Sequence, residues 1–367
     1  MTPYSQRLTN LRIAMLDAAI DAAVFTPGAS MRYLTGFSEE GYERLLCLIV
    51  VADRDPVFVT PSVNAAQTEA NAAGIGGVRI WGDNTGWEPM IAALAGQLEL
   101  GDVTIGVDDN MAARFLLPMQ RLLPGARFTS AGTVIADLRM RKDAAELAAL
   151  QRAADATDAA YLAGLAACRV GATERQIART IESAIHEAGG TLAFDTIVAA
   201  SENSALPHHT PGDRALRSGD VATLDLGARI DGYCGDITRI VCIGEPSAEV
   251  AAVYDIVYRA QSAGVSAARP GVAAGAVDAA TRKVIDDAGY GEQFIHRTGH
   301  GIGLDDHELP NIVAGNAHNL REGECFSIEP GIYLPGKFGT RLENIVTVTA
   351  DGVRVFNAPI PAHPAVV

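Results

Sequence analysis

Five side chains able to bind metal ions or move protons fall in order along the C-terminal half: Asp225, Asp236, His300, Glu329 and Glu343. Asp225 and Asp236 bracket the glycine-rich turn DLGARIDGYCGD, and Glu329 and Glu343 bracket EPGIYLPGKFGTRLE. His300 lies between the pairs, in HRTGHGIGLDDHE. Four carboxylates converging on one imidazole need a counter-charge, because burying like charges together is costly. Two divalent cations supply it, which points to a two-metal hydrolase. Donors dominated by oxygen, with one imidazole, suit Mn²⁺, Co²⁺, Fe²⁺ or Zn²⁺ rather than a thiolate site. A water bridging such ions loses a proton more readily and becomes the nucleophile. Glu329 is the candidate to take that proton and deliver it to the leaving nitrogen.

Further groups surround this set. His208, in ALPHHTPG, and His307, in LDDHE, are candidate donors to an oxygen that gains charge during reaction, with His209 and His296 competing for the role. Arg341 stands two residues before Glu343, on the same strand face, and is expected to orient or compensate that carboxylate. The glycines of GHGIG are expected to let the backbone approach a ligand closely. Cys234 and Cys325 point away from the neighbouring ligands by strand alternation and read as core.

The elements that must position these groups follow from the pattern. In VATLDLGA, alternation puts Val221, Thr223 and Asp225 on one face and Leu224 and Leu226 on the other, under helices. Asp236 lies on the returning strand, opposite or diagonal to Asp225. RVGATERQIARTIESAIHEAG (169–189) and RPGVAAGAVDAATRKVIDDAG (269–289) form an internal repeat, each a loop, a helix and a closing glycine. Gly219-Asp220 precedes Asp225 by the same step as Gly323-Glu324 precedes Glu329. Two halves related by a pseudo-twofold axis would bring both hairpins to one central site.

Residues 1–135 read as a separate α/β domain and 136–367 as the catalytic domain. The first begins with a helix over Gln6–Ala22, followed by strands at Ala23–Thr26, within Arg44–Thr60, at Val78–Trp81 and at Thr104–Val107. A helix is predicted over Glu88–Leu98. Asp143 with Glu146 forms a capping box for a helix running to about Ala167. The net charge of −15, from 29 basic and 44 acidic residues, argues against a nucleic-acid-binding face. The longest strongly apolar run, LLCLIVVA (45–52), is a buried strand rather than a membrane span. Five scattered cysteines without CxxC spacing fit reduced thiols, and with no basic-then-apolar leader the expected compartment is cytoplasmic.

Taken together, these blocks resemble the pita-bread metallopeptidase family, in its Xaa-Pro branch of aminopeptidase P and prolidase. MRYLTGF (31–37) is similar to that branch's creatinase-like N-terminal domain. ENSALPHH, TLDLGARIDGYCGDITR, HRTGHGIGLDDHE, SIEPGIY and TRLENIV are similar to its catalytic blocks, in order. The resemblance implies that Asp225 and Asp236 bind one metal and bridge to a second, that His300 and Glu329 complete the second site, and that Glu343 bridges. It implies substrate contacts for His208 and His307, supporting positions for His296, Tyr333 and Arg341, and dimers through the N-terminal domain. The expected substrate is a proline-containing di- or oligopeptide. The reading favours an Xaa-Pro aminopeptidase, with an Xaa-Pro dipeptidase as the alternative. More distant alternatives are a non-peptidase enzyme of this fold acting on a small amide or zwitterion, a methionine aminopeptidase and a non-catalytic binding relative.

Overall fold

Alternating apolar segments in the first 130 residues build one mixed sheet. In the computed structural model, which describes residues 3–37 and 39–367, its strands are β1 (Ala22–Phe25), β2 (Cys47–Val51), β3 (Val57–Pro61), β4 (Gly77–Trp81), β5 (Thr104–Val107) and β6 (Arg127–Ser130). The order is β4-β3-β2-β1-β5-β6. β2 runs antiparallel to both β1 and β3, while β4, β5 and β6 pair in parallel. Every residue of β2 is buried, as expected for a strand covered on both faces. The first helix is Pro3–Asp17 and buries Leu8, Leu11 and Met15. It ends before the predicted Ala22, because Ala19 takes a positive φ of 54° and Ile20 N–H turns back to Met15 O at 2.9 Å. That turn starts β1 one residue earlier than predicted.

The chain forms two compact units, Met1–Arg139 and Met140–Val367. The helix Gly132–Met140 runs across this division.

The second unit opens with the helix Ala144–Ala167, started by a capping box in which Asp143 accepts from Glu146 N–H and Glu146 accepts from Asp143 N–H. The helix Glu174–Glu187 follows, and this pair recurs as Ala248–Ala267 and Ala274–Asp287. Gly171 N–H bonds Leu216 O at 2.9 Å, and Gly271 N–H bonds Leu320 O at 2.8 Å. Gly219 N–H bonds Ile243 O as Gly323 N–H bonds Val348 O. The helices of each pair cross closely at a glycine. A Cβ on Gly164 would lie 2.6 Å from Ile181 Cγ1, and one on Gly264 would lie 2.4 Å from Thr281 Oγ1. The sequence repeat is therefore a structural repeat.

In the first half the strands are β7 (Thr191–Leu192), β8 (Ile197–Ala200), β9 (Val221–Leu226), β10 (Ala228–Ile230), β11 (Tyr233–Cys234) and β12 (Ile237–Cys242). In the second they are β13 (Gly299–Gly301), β14 (Glu308–Ile312), β15 (Cys325–Ile328), β16 (Gly331–Leu334), β17 (Phe338–Arg341) and β18 (Asn344–Val348). β8, β9 and β12 are antiparallel neighbours, as are β14, β13, β15 and β18. Ala222, Leu224 and Leu226 pack with Ile177 and Ile181 beneath the first helix pair. That leaves the opposite face of β9, with Asp225, for the site. All five cysteines are buried and unpaired.

Candidate metal centre

Asp225 sits near the end of β9 opposite Thr238, and Asp236 stands one residue before β12, diagonal to Asp225. Glu329 follows β15 directly and Glu343 precedes β18 directly, where Ile328 pairs with Asn344. A bridge between Thr238 and Glu343 joins the two hairpins across the pseudo-twofold, and Thr238 Oγ1 donates to Glu343 Oε2 at 2.7 Å. All five expected ligands thus meet at one wall of a cavity of about 1260 Å³.

His300 lies in the middle of β13. Its Nδ1–H donates to Gly301 O at 3.1 Å, which turns Nε2 toward Glu329 Oε1 at 3.2 Å and Asp236 Oδ2 at 3.7 Å. The flanking glycines serve strand packing rather than ligand approach. A Cβ at 299 would stand 1.9 Å from Ser327 O, and one at 301 would stand 2.1 Å from Leu309 O. Ser327 Oγ ties the group together, accepting from His300 N–H at 3.0 Å and donating to Glu329 Oε1 at 3.1 Å.

Burial, then repulsion from Glu343, Asp225 and Glu329, pushes the Asp236 carboxyl well above the ordinary range. Burial with repulsion from Glu329 and Asp225 does the same to Glu343. Burial also raises Asp225, although Arg341 opposes it. Burial would raise Glu329 too, but the contact with His300 overcomes it and holds this carboxyl down at about 2. Asp225 Oδ1, Asp236 Oδ1 and Glu343 Oε1 are buried without a hydrogen-bond partner. One ligand atom from each of Asp236, His300 and Glu343 lies within 4.8 Å of the others. Orphaned carboxylate oxygens and an imidazole nitrogen turned toward carboxylates form an oxygen-rich donor set that fits divalent metal.

The Arg341 charge opposes the rise of the Glu343 carboxyl, but its hydrogen bonds go elsewhere. Its Nη2 pairs with Asp225 Oδ2, its Nε donates to Thr238 Oγ1 at 3.1 Å, and its Nη1 donates to Tyr333 OH at 2.6 Å. Tyr333 OH then donates to His296 Nε2 at 2.9 Å, while His296 Nδ1–H donates to Arg297 O at 2.7 Å. Burial pushes His296 down and Tyr333 up to about 12, so both stay neutral in this chain of bonds. The His307 ring lies 3.9 Å, centre to centre, from that of His300. Burial and that neighbour push His307 down to about 4.

His208 and His209 both line the cavity, but His209 Nε2 is committed to Glu174 Oε2 at 2.9 Å. Sequence reasoning missed Thr238, Ser327 and Arg297. Arg297 lines the cavity, and its Nη1 donates to the neutral Asn311 Oδ1 at 2.6 Å. Its only signal was its place inside the HRTGH block.

The chain matches the description "Metallopeptidase family M24" over residues 148–350 and "Creatinase/Prolidase N-terminal domain" over 7–141. It belongs to metallopeptidase family M24, with the creatinase-like N-terminal domain and the pita-bread catalytic domain. It is 41% identical to a probable dipeptidase PepE of Mycobacterium tuberculosis, covering 97% of this chain and 95% of the relative. A solved prolidase of Thermococcus sibiricus superposes with a TM-score of 0.95 at 34% identity, covering all of both chains. An X-Pro aminopeptidase of Thermotoga maritima superposes at 0.85 with 31% identity, covering 98% of this chain and 99% of the other. Among the described residues, no helix is long and apolar enough to cross a membrane.

Proposed function

We propose that this chain is an Xaa-Pro dipeptidase, hydrolysing the bond between an N-terminal residue and a C-terminal proline. The observation that carries the reading is the likeness, across both domains, to a dipeptidase at 41% identity and to a prolidase at a TM-score of 0.95. The aminopeptidase reading is revised accordingly, since the sequence blocks that suggested it suit either enzyme. Arg297 supports the revision. A dipeptide presents a free carboxylate beside its proline, whereas a longer peptide presents an amide. Among the described residues no carboxylate pairs with Arg297, so its charge is available to that group.

Asp225, Asp236, His300, Glu329 and Glu343 would hold two divalent cations, manganese in this reading, which acidify water and polarise the peptide carbonyl. Glu329, kept ionised beside His300, accepts the proton of water as its oxygen bonds to the carbonyl carbon. The same proton passes to the prolyl nitrogen as the C–N bond breaks. His208 and His307 donate hydrogen bonds to the carbonyl oxygen as it gains charge. Arg341 holds Asp225, and Tyr333 with His296 holds Arg341. In this reading the chain works as a homodimer.

The test compares Ala-Pro with its C-terminal amide. Loss of a charged hydrogen bond worth ~1.5–3 kcal/mol lowers kcat/KM on the amide by about 10- to 100-fold. Arg297→Leu is expected to erase that difference. Equal turnover of acid and amide by the wild type would remove the dipeptidase reading.

A further inference from the structure

We propose that Glu174 is a positioning residue that holds the 200–212 loop, and with it His208, at the cavity; the catalytic part of this inference rests on the peptidase reading above. Glu174 opens the helix Glu174–Glu187, is fully buried, and belongs to no part of the metal set. One of its oxygens accepts from Ala200 N–H at 2.8 Å and Asn203 Nδ2 at 2.9 Å. The other accepts from His209 Nε2 at 2.9 Å and Gly212 N–H at 3.1 Å. A single carboxylate therefore gathers the start, the middle and the end of the loop that carries His208.

The internal repeat shows that the scaffold alone does not require this. Glu174 N–H bonds Arg214 O and Arg175 N–H bonds Gly212 O, while in the other half Ala274 N–H bonds His318 O and Gly275 N–H bonds Asn316 O. The backbone junction is the same, yet the residue at the Glu174 position is Ala274. The corresponding loop of the second half carries His307 and runs at once into β14, which pairs with β13 at Gly301–Glu308 and Gly299–Ile312. Backbone pairing fixes His307. The loop with His208 enters no strand; after the short turn Ser201–Ala205 it has no ladder to hold it. Glu174 does with a side chain what β14 does with a backbone. Other ties also act on the loop: Ser201 Oγ donates to Asp220 Oδ1 at 2.8 Å, Arg214 pairs with Glu202 at 2.9 and 3.0 Å, Ser204 Oγ accepts from Gly339 N–H at 2.8 Å, and Arg341 Nη2 reaches Pro207 O at 3.4 Å. The last two connect the loop to β17 and to the arginine that holds Asp225.

The experiment uses the manganese-loaded full chain and the variants Glu174→Ala and Glu174→Gln. Gln keeps the volume and one acceptor but sets an amide against the Gly212 N–H, so it disturbs the loop with little effect on the core. Three quantities are read: bound manganese, hydrogen exchange of peptides covering 200–212 and 305–312, and kcat and KM on Ala-Pro. Both variants are expected to keep wild-type manganese content and to exchange faster over 200–212 alone. Because misplacing a reacting group by about 1 Å costs on the order of 10²-fold, kcat falls by about 10- to 100-fold while KM changes less. Should Glu174→Ala fail to fold, Glu174→Gln alone decides. Unchanged exchange over 200–212, or kcat within about twofold of wild type, overturns the proposal. Exchange needs no substrate, so it still decides the positioning claim if Ala-Pro is not the substrate.

Discussion

Removing the Arg341 guanidinium tests the electrostatics of the centre more sharply than removing a ligand. Arg341→Met keeps most of the stem but leaves Asp225 Oδ2 without its ion pair and Thr238 Oγ1 and Tyr333 OH each without a donor. Both residues of the pair are nearly inaccessible, with side-chain exposures of 5% and 10%, so solvent does not replace the lost contact. Breaking one side of a buried pair costs ~3–5 kcal/mol. For a unit of this size, ~1 kcal/mol moves the unfolding midpoint by about 2–4 °C, so the metal-free variant should melt roughly 6–20 °C lower. Manganese supplies part of the missing positive charge, so the deficit should shrink in the loaded protein. Adding Asp225→Asn to the metal-free variant should recover part of the loss, because no uncompensated charge then remains. Scanning calorimetry in chelator and in manganese makes the comparison. A metal-free shift of less than about 3 °C would show that Arg341 is not the counter-charge of Asp225.

Asp236→Ala and His300→Ala should fold and lose bound metal together with turnover, read by metal analysis after dialysis; either one turning over at the wild-type rate with metal bound contradicts the ligand set. His307→Ala should keep its metal and lose turnover by about 10²-fold, as removal of one donor to a developing oxyanion does, and metal loss would show that the histidines are sorted wrongly. Glu174 supplies a pH dependence. Burial alone would raise its pKa, but the bonds from Asn203, Ala200 N–H, His209 and Gly212 N–H bring it below the ordinary value. A group depressed in the fold stabilises fully above the ordinary glutamate range and loses that contribution as pH falls through its folded pKa. Metal-free wild type should therefore lose more melting temperature than Glu174→Gln on acidification below about pH 4.3, and parallel curves would contradict the assignment.

The sequence carried the features that depend on short spacing. The Asp143–Glu146 capping box and the long helix it starts follow from residues three apart. The repeat followed from matched loops, helices and glycines, and alternation along β9 separated Asp225 from the leucines beneath it. What escaped depends on contacts across the pseudo-twofold or between loops. Arg341 and Glu343 share a strand face, yet the guanidinium is spent on Asp225, 116 positions away. Glu174 reads as an ordinary acidic residue in a first helical turn, and only folding brings the 200–212 loop around it. The glycines beside His300 hold the place of a neighbouring backbone, which no local pattern reveals. The first helix stopped short because a turn at Ala19 overrode apolar periodicity.

The most direct measurement is product analysis of the manganese-loaded chain incubated side by side with Ala-Pro and Ala-Pro-Ala. A dipeptidase releases free alanine and proline from the dipeptide and cleaves the tripeptide little or not at all. Efficient release of alanine from the tripeptide would contradict the account and restore the aminopeptidase reading. Inertness toward both, with two ions bound, would move the protein outside Xaa-Pro hydrolysis.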